Sequence, residues 1–270
     1  MLPTFRAATT VLAVGLLFAA GCGGHTFTYP QPPPPGPPVG KALMPDLSPA
    51  PPLNVRMGTH GGRWYLEFDS SMVNVGKGSF MLRATRTGNT WAVTQYIPYS
   101  TRGARPVPLV ATLVWGGDGH NHWHIARIAS TKLVRLDANS HPDPNGGRVD
   151  QKVGFCFYDL TRWSKNARQQ PFYSRFRCGH HGDKVISMGL SPGWEDTYPW
   201  TLPGQSIDVT GLHDGMYRLW AQVDPRGWFK EANRSNDVTW VDIKLTTRGK
   251  YRFAQVMRQG PTPATERANS

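Results

Sequence analysis

In the stretch Gly119-His120-Asn121-His122-Trp123-His124, imidazoles recur at every second residue. On a helix each such step would turn the side chain by about 200° and scatter the three rings, whereas on a strand all three leave the same face. The segment is therefore predicted to be a strand or strand edge carrying a metal. Neutral imidazole suits copper, zinc, iron and nickel, and among divalent ions copper binds nitrogen sites most tightly, so His120, His122 and His124 are predicted to hold copper. The other histidines are scattered, and none is assigned a role.

The elements that must position these rings are strands. Long 3.6-residue periodicity is absent, while short alternating runs recur between turn signals: Arg63-Trp-Tyr-Leu-Glu-Phe-Asp69, Ser79-Phe-Met-Leu-Arg-Ala84, Lys132-Leu-Val-Arg-Leu136, Gln205-Ser-Ile-Asp-Val-Thr210, Met216-Tyr-Arg-Leu-Trp-Ala-Gln-Val223 and Val238-Thr-Trp-Val-Asp-Ile-Lys-Leu245. Asn74-Val-Gly76, Gly146-Gly147 and Asp214-Gly215 punctuate them as turns. The pattern predicts an all-β fold, a single β-sandwich domain over 43–246 with long irregular loops. The stretch from Arg162 to Arg177 is irregular, with room for a short helix.

The N-terminal sequence bears on compartment. Arg6 precedes a small and apolar run from Ala7 to Ala20, which reads as a signal peptide over 1–22, and Ala19-Ala20-Gly21-Cys22 resembles a bacterial lipobox in which cleavage leaves Cys22 as a lipidated N-terminus. An extracytoplasmic, membrane-anchored protein is expected, with plain secretion as the alternative. A Pro-rich segment over 23–42 is expected to run as a stiff polyproline II stalk, and the basic, polar tail over 247–270 is expected to fray. The formal net charge of +12 favours acidic polymers or acidic protein surfaces as partners. No nucleic-acid motif is present, and export argues against that partner. Setting Cys22 aside leaves Cys156 and Cys178, most simply a disulfide in an oxidising compartment, with a thiolate metal site as the other possibility.

Three segments together resemble one family, the lysyl oxidases. His120, His122 and His124 match its H-x-H-x-H copper ligands; Lys152-Val-Gly-Phe-Cys156 with Asp159 matches its K-x-x-F-C-x-x-D segment; Gly189-Leu-Ser-Pro-Gly-Trp-Glu-Asp-Thr-Tyr198 matches its G-L-S-P-G-x-x-D-T-Y segment. The resemblance implies that Lys152 and Tyr198 combine into lysine tyrosylquinone, a cofactor made from the chain itself, and that the protein oxidises primary amines, peptidyl lysine among them, to aldehydes with release of hydrogen peroxide and ammonia. It also implies a Cys156–Cys178 disulfide. A calcium site is implied from Met44-Pro-Asp-Leu47 and Glu231-Ala-Asn-Arg-Ser-Asn-Asp237, with Asp46, the Leu47 carbonyl, Glu231, Asn233, Asn236 and Asp237 as ligands. Hard oxygen donors suit calcium on chemical grounds as well.

Asp196, two residues before Tyr198, is a candidate base for the α-proton, and Asp159 a weaker one. Where the family has a histidine and an aspartate after the third histidine, this chain has Thr131 and Leu133 around Lys132, and it lacks the further disulfides of the animal enzymes. The competing reading is a copper-binding envelope lipoprotein on a β-sandwich without turnover, in which Lys152 and Tyr198 are ordinary residues. The amine substrate stays open among envelope proteins, extracellular proteins and free polyamines.

Overall fold

The computed structural model describes residues 32, 34–116, 121–143 and 148–263, the side chains of 148–152 excepted. The signal peptide, Cys22, the start of the Pro-rich segment, His120 and Gly146-Gly147 lie outside these residues.

The described chain is built from strands, with one short 3₁₀ turn at Arg175–Cys178 and no α-helix. It opens with a long antiparallel hairpin, β1 (Leu47–His60) and β2 (Arg63–Asn74), whose turn residues Gly61 and Gly62 have φ of 57° and 75°. Two successive left-handed residues are what a two-residue hairpin with the native twist demands. A meander follows, β3 (Phe80–Thr87), β4 (Thr90–Pro98) and β5 (Ala104–Leu109). Pro106 and Pro108 are tolerated because β5 is an edge strand. Next come β6 (Leu113–Trp115), β7 (Trp123–Arg135), β8 (Arg148–Phe155), the two-residue β9 (Thr161–Arg162), β10 (Val185–Leu190), β11 (Trp194–Tyr198) and β12 (Ser206–Asp208). The chain ends in β13 (Gly215–Val223), β14 (Val238–Arg248) and β15 (Tyr251–Gln259).

These strands form three antiparallel sheets, ordered β1-β2-β11-β9 with β12 also on β2, β10-β3-β4-β5, and β15-β14-β13-β7-β6 with β8 also on β7. Alternation of apolar and polar residues makes each sheet amphipathic, and the apolar faces meet in two main clusters. One joins Leu66, Phe68 and Ile207 of the first sheet to Leu219, Val241 and Ile243 of the third. The other joins Phe80, Leu82 and Met188 of the second sheet to Ile125, Phe155 and Tyr198, so the candidate site is embedded in core rather than perched on a rim.

Each of the six alternating runs overlaps a strand. Two boundaries differ from expectation. Residues 251–259, expected to fray, form β15: Gly249 (φ 60°) turns the chain back onto β14, and Arg252 donates to the carbonyls of Val209 and Leu212 at 2.7 and 2.8 Å. The end of the Pro-rich segment also touches the body, since Val39 and Ala42 bridge to Arg102 and Tyr99 and the Ala104 amide donates to the Gly36 carbonyl.

Candidate functional site

His122 sits in a bend just before β7 and His124 lies one residue pair into it, opposite Val114 of β6. Asn121 takes a left-handed φ of 51°, its amide bonded to the Gly116 carbonyl, while the Gly116 amide returns to the His122 carbonyl. This turn delivers both imidazoles into the interior: His122 is 9% and His124 6% exposed, with ring centroids 4.6 Å apart. Trp123, between them, points the other way, edge-on to Trp91 and Trp115. The alternation expected of a strand therefore holds for this pair.

The β7 strand bulges between Ile125 and Ala129, where Arg127 has a φ of 60°; β8 pairs on both sides of the bulge, Phe155 opposite Ile125 before it and Lys152 opposite Ser130 beyond it. The fit here is tight. A Cβ on Gly154 would lie 2.9 Å from the Ile125 carbonyl oxygen and 3.1 Å from the His124 Cβ, so glycine is what lets β8 pass alongside the histidine.

Tyr198 arrives from β11 and is 4% exposed. Its ring stacks on Phe155 with centroids 3.9 Å apart and lies 6.0 Å from the His124 ring. The Cys156 amide donates to the Tyr198 hydroxyl at 2.9 Å. The strand that carries Lys152 thus holds the ring of Tyr198, and the residue just past its end holds the oxygen. Aromatic stacking of this kind is worth about 0.5–1.5 kcal/mol beyond its buried area. Cys156 and Cys178 are joined in a disulfide with their Cα atoms 5.9 Å apart. By the loop-closure argument such a link stabilises by roughly 3 kcal/mol, and it ties the donor amide to the 3₁₀ turn. Of Lys152 only the backbone is described.

Asp196 is fully buried on β11. Two residues from Tyr198, it belongs to the same strand face. Burial raises its pKa well above the ordinary carboxyl range, the charges of Glu195 and Asp159 add to this, and the Tyr158 and Thr197 amides offset it in part. Nearby Tyr158 is pushed up to about 12, first by burial and then by Asp196. Asp159 has a different occupation: its carboxylate accepts from the Phe172 and Tyr173 amides and from both the amide and hydroxyl of Ser191, at 2.7 to 3.2 Å. It clips two loops together. Thr131 and Leu133 are buried on β7.

The chain-end acidic cluster also assembles. Asp46 is joined by the Asn236 amide at 2.9 Å, and the Leu47 amide donates to Glu231 at 2.7 Å, across 190 and 184 residues of sequence. Burial pushes Glu231 up to about 8 and Asp237 up to about 6, and raises Asp46. Oxygens of Glu231, Asn236 and Asp237 are buried without a hydrogen-bond donor. A buried carboxylate oxygen lacking a donor is expensive unless a cation or proton joins it, so this donor set fits a hard cation. Asn233 stands apart, exposed, its side-chain oxygen accepting from the amide and hydroxyl of Ser235. Among the described residues no three His, Cys, Asp or Glu side chains already converge on one point. For copper, His122 and His124 supply nitrogen donors of the right softness, and His120 lies outside the described residues.

Spacing singled out the histidines, and the resemblance to the lysyl oxidases singled out the tyrosine and the carboxylates. Phe155, Gly154 and the Cys156 amide as the holders of Tyr198 were not singled out, although all three lie in the K-x-x-F-C segment. Arg234, at the centre of the acidic cluster, was also missed; a basic residue between Glu231 and Asp237 was the only available signal.

An all-β body in which a buried histidine pair faces a buried, amide-held tyrosine defines a protein built around a histidine–tyrosine centre. The sequence model of the lysyl oxidase family matches residues 94–256, and the chain belongs to that family. Among its relatives, Protein-lysine 6-oxidase of Gallus gallus is 31% identical over 132 residues, 49% of this chain and 28% of that protein. The Sus scrofa Protein-lysine 6-oxidase is 30% identical over 49% of this chain and 47% of its own, and human Lysyl oxidase homolog 1 is 30% identical over 48% and 20%. The matched region thus spans under half the length of each of these relatives.

Proposed function

We propose that this chain is an exported, copper-dependent amine oxidase that converts the primary amine of peptidyl lysine or a related amine to an aldehyde. The observation that carries this reading is the Tyr198 phenol, stacked on Phe155 beside His124 and held by the Cys156 amide just past the end of the strand of Lys152. Copper held by His120, His122 and His124 would supply the oxidation, with O₂, that turns Tyr198 and Lys152 into lysine tyrosylquinone, and that cofactor would in turn accept two electrons from the amine. The balanced reaction consumes O₂ and water and releases aldehyde, ammonia and hydrogen peroxide.

The chain's own groups have separate tasks. Phe155 and the Cys156 amide fix the plane and the oxygen of Tyr198 before oxidation, so ring orientation is not left to chance. Asp196 is the candidate base: a carboxyl whose pKa is raised by burial takes a proton more readily than an exposed one. The Cys156–Cys178 disulfide keeps the donor amide in place. Calcium at Asp46, the Leu47 carbonyl, Glu231, Asn236 and Asp237 would join the start of β1 to the loop before β14, and Asn233 would enter only by leaving its own turn. Lipidation at Cys22 would hold the enzyme on a bacterial cell surface, where its basic character favours acidic envelope or extracellular proteins.

Aerobic copper loading followed by peptide mapping tests the reading. A covalent link between the Lys152 and Tyr198 peptides, a visible absorbance that phenylhydrazine shifts, and peroxide release from primary amines are expected, all lost in Tyr198→Phe. Unlinked peptides with no peroxide from an amine panel would leave a non-catalytic copper-binding lipoprotein as the better account.

A further inference from the structure

We infer that Arg234 is a built-in counter-cation of the chain-end acidic cluster, and that a divalent cation binds there by exchanging with it. This rests on the calcium reading above. One Nη of Arg234 lies 3.0 Å from an Asp224 carboxylate oxygen and 3.5 Å from Glu231 Oε1, and the other lies 3.1 Å from Asp237 Oδ2 and donates to the Asp224 carbonyl at 3.0 Å. A single guanidinium thus bridges three carboxylates.

The burial is lopsided in a way that favours exchange. The side chains of Asp224 and Glu231 are fully buried and that of Asp237 is 6% exposed, whereas Arg234 is 41% exposed. The carboxylates cannot retreat to solvent; the guanidinium can. Its planar fork also falls short of the demand. Asp237 Oδ1 and Asn236 Oδ1 remain without hydrogen-bond donors and Glu231 Oε1 has Arg234 only at the 3.5 Å of an ion pair, while Asn236 and Glu231 bond Asp46 and the Leu47 amide from the other chain end. Five donors fixed in one plane cannot surround oxygens arriving from both chain ends, but a spherical cation can.

Once such an ion sits among these oxygens, Arg234 becomes its like-charged neighbour, and solvent is open to it. Asp224 can release the arginine without being stranded, because its carboxylate keeps the Trp228 and Phe229 amides at 2.9 and 2.8 Å. The exchange has two consequences. Without divalent ion, Arg234 ties the 231–237 loop to the turn at Asp224 and neutralises the carboxylates that lie against the β1 start. With it, the pairings of Arg234 must be given up, so calcium binds more weakly than the oxygen set alone would allow.

The test uses the full chain, copper-free and EDTA-treated, titrated with calcium alone by calorimetry and followed by thermal melting. Arg234→Met is expected to bind calcium at least tenfold more tightly than wild type, to melt lower than wild type without calcium, and to match or exceed it when loaded. Arg234→Lys, which keeps the charge and loses the fork, should fall between them. Should Arg234→Met fold only in the presence of calcium, that too supports the exchange, and Arg234→Lys then carries the affinity comparison. Calcium affinity unchanged or weakened in both variants would overturn it. If neither wild type nor variants bind calcium, the calcium reading itself fails.

Discussion

The histidine–tyrosine centre and the chain-end acidic cluster are both buried, yet they are held by different forces. Around Tyr198 the holding contacts are a backbone amide, a stacked ring and a strand register. At the acidic cluster they are side-chain charges, three carboxylates gathered on one arginine and two strand-distant amide contacts. Neutral and backbone contacts are short-ranged and depend little on salt or bound ions, which suits a centre that must present one tyrosine in one orientation. Charged contacts in the interior are conditional, because each partner left alone carries a desolvation penalty. The first region is therefore expected to survive changes that dismantle the second.

The largest effect that would separate the regions comes from His124→Ala. Removing a buried imidazole should lower copper affinity by at least about 100-fold and abolish amine turnover, while the calcium-dependent rise in melting temperature stays as in wild type. Copper calorimetry beside melting curves with and without calcium reads both. A lost calcium response would show that the two regions are coupled.

Gly154→Ala probes the packing of the centre alone. The added methyl meets the Ile125 carbonyl and the His124 Cβ, both anchored in the β7 strand, so overpacking should destabilise by about 1–3 kcal/mol and weaken copper binding several-fold. Denaturant unfolding and copper titration check it. Unchanged copper affinity would mean that β8 shifts freely and does not position His124.

The smallest effect is a pH slope. Burial raises the Asp196 pKa, so the folded chain holds this proton more tightly than the unfolded one, and stability falls as pH rises from the ordinary carboxyl range toward the folded value. Asp196→Asn should flatten that part of the stability profile. If Asp196 is the base, the same variant loses turnover with copper retained; if turnover persists, the carboxyl is structural.

Much of this was legible in the chain. Alternation located the six central strands, because period-two hydrophobicity is imposed locally by the pleat and by one-sided burial. The every-second-residue histidines implied an extended backbone, and His122 and His124 do project together. The roles of Lys152 and Tyr198 came only through the resemblance of their two segments to the lysyl oxidases. Over residues 251–259 the structure differs from the expected frayed tail, since the basic residues that look solvated are partly employed: Arg252 bonds two carbonyls and Arg258 pairs with Asp242 at 2.6 Å.

What amino-acid order determined, then, was every feature whose cause lies within a few residues: strand character, the glycine hairpin at 61–62, and the spacing of the imidazoles. Only the tertiary structure decided which distant groups would meet. The Cys156 amide finds the Tyr198 hydroxyl 42 residues on, and Glu231 finds the Leu47 amide 184 residues back, because sheet order and register bring them there. Asn233 and Arg234 are neighbours in sequence with opposite fates, one spent on its own exposed turn and the other drawn among buried carboxylates. Local sterics give no preference between those outcomes; the uncompensated charge brought in by the chain ends does.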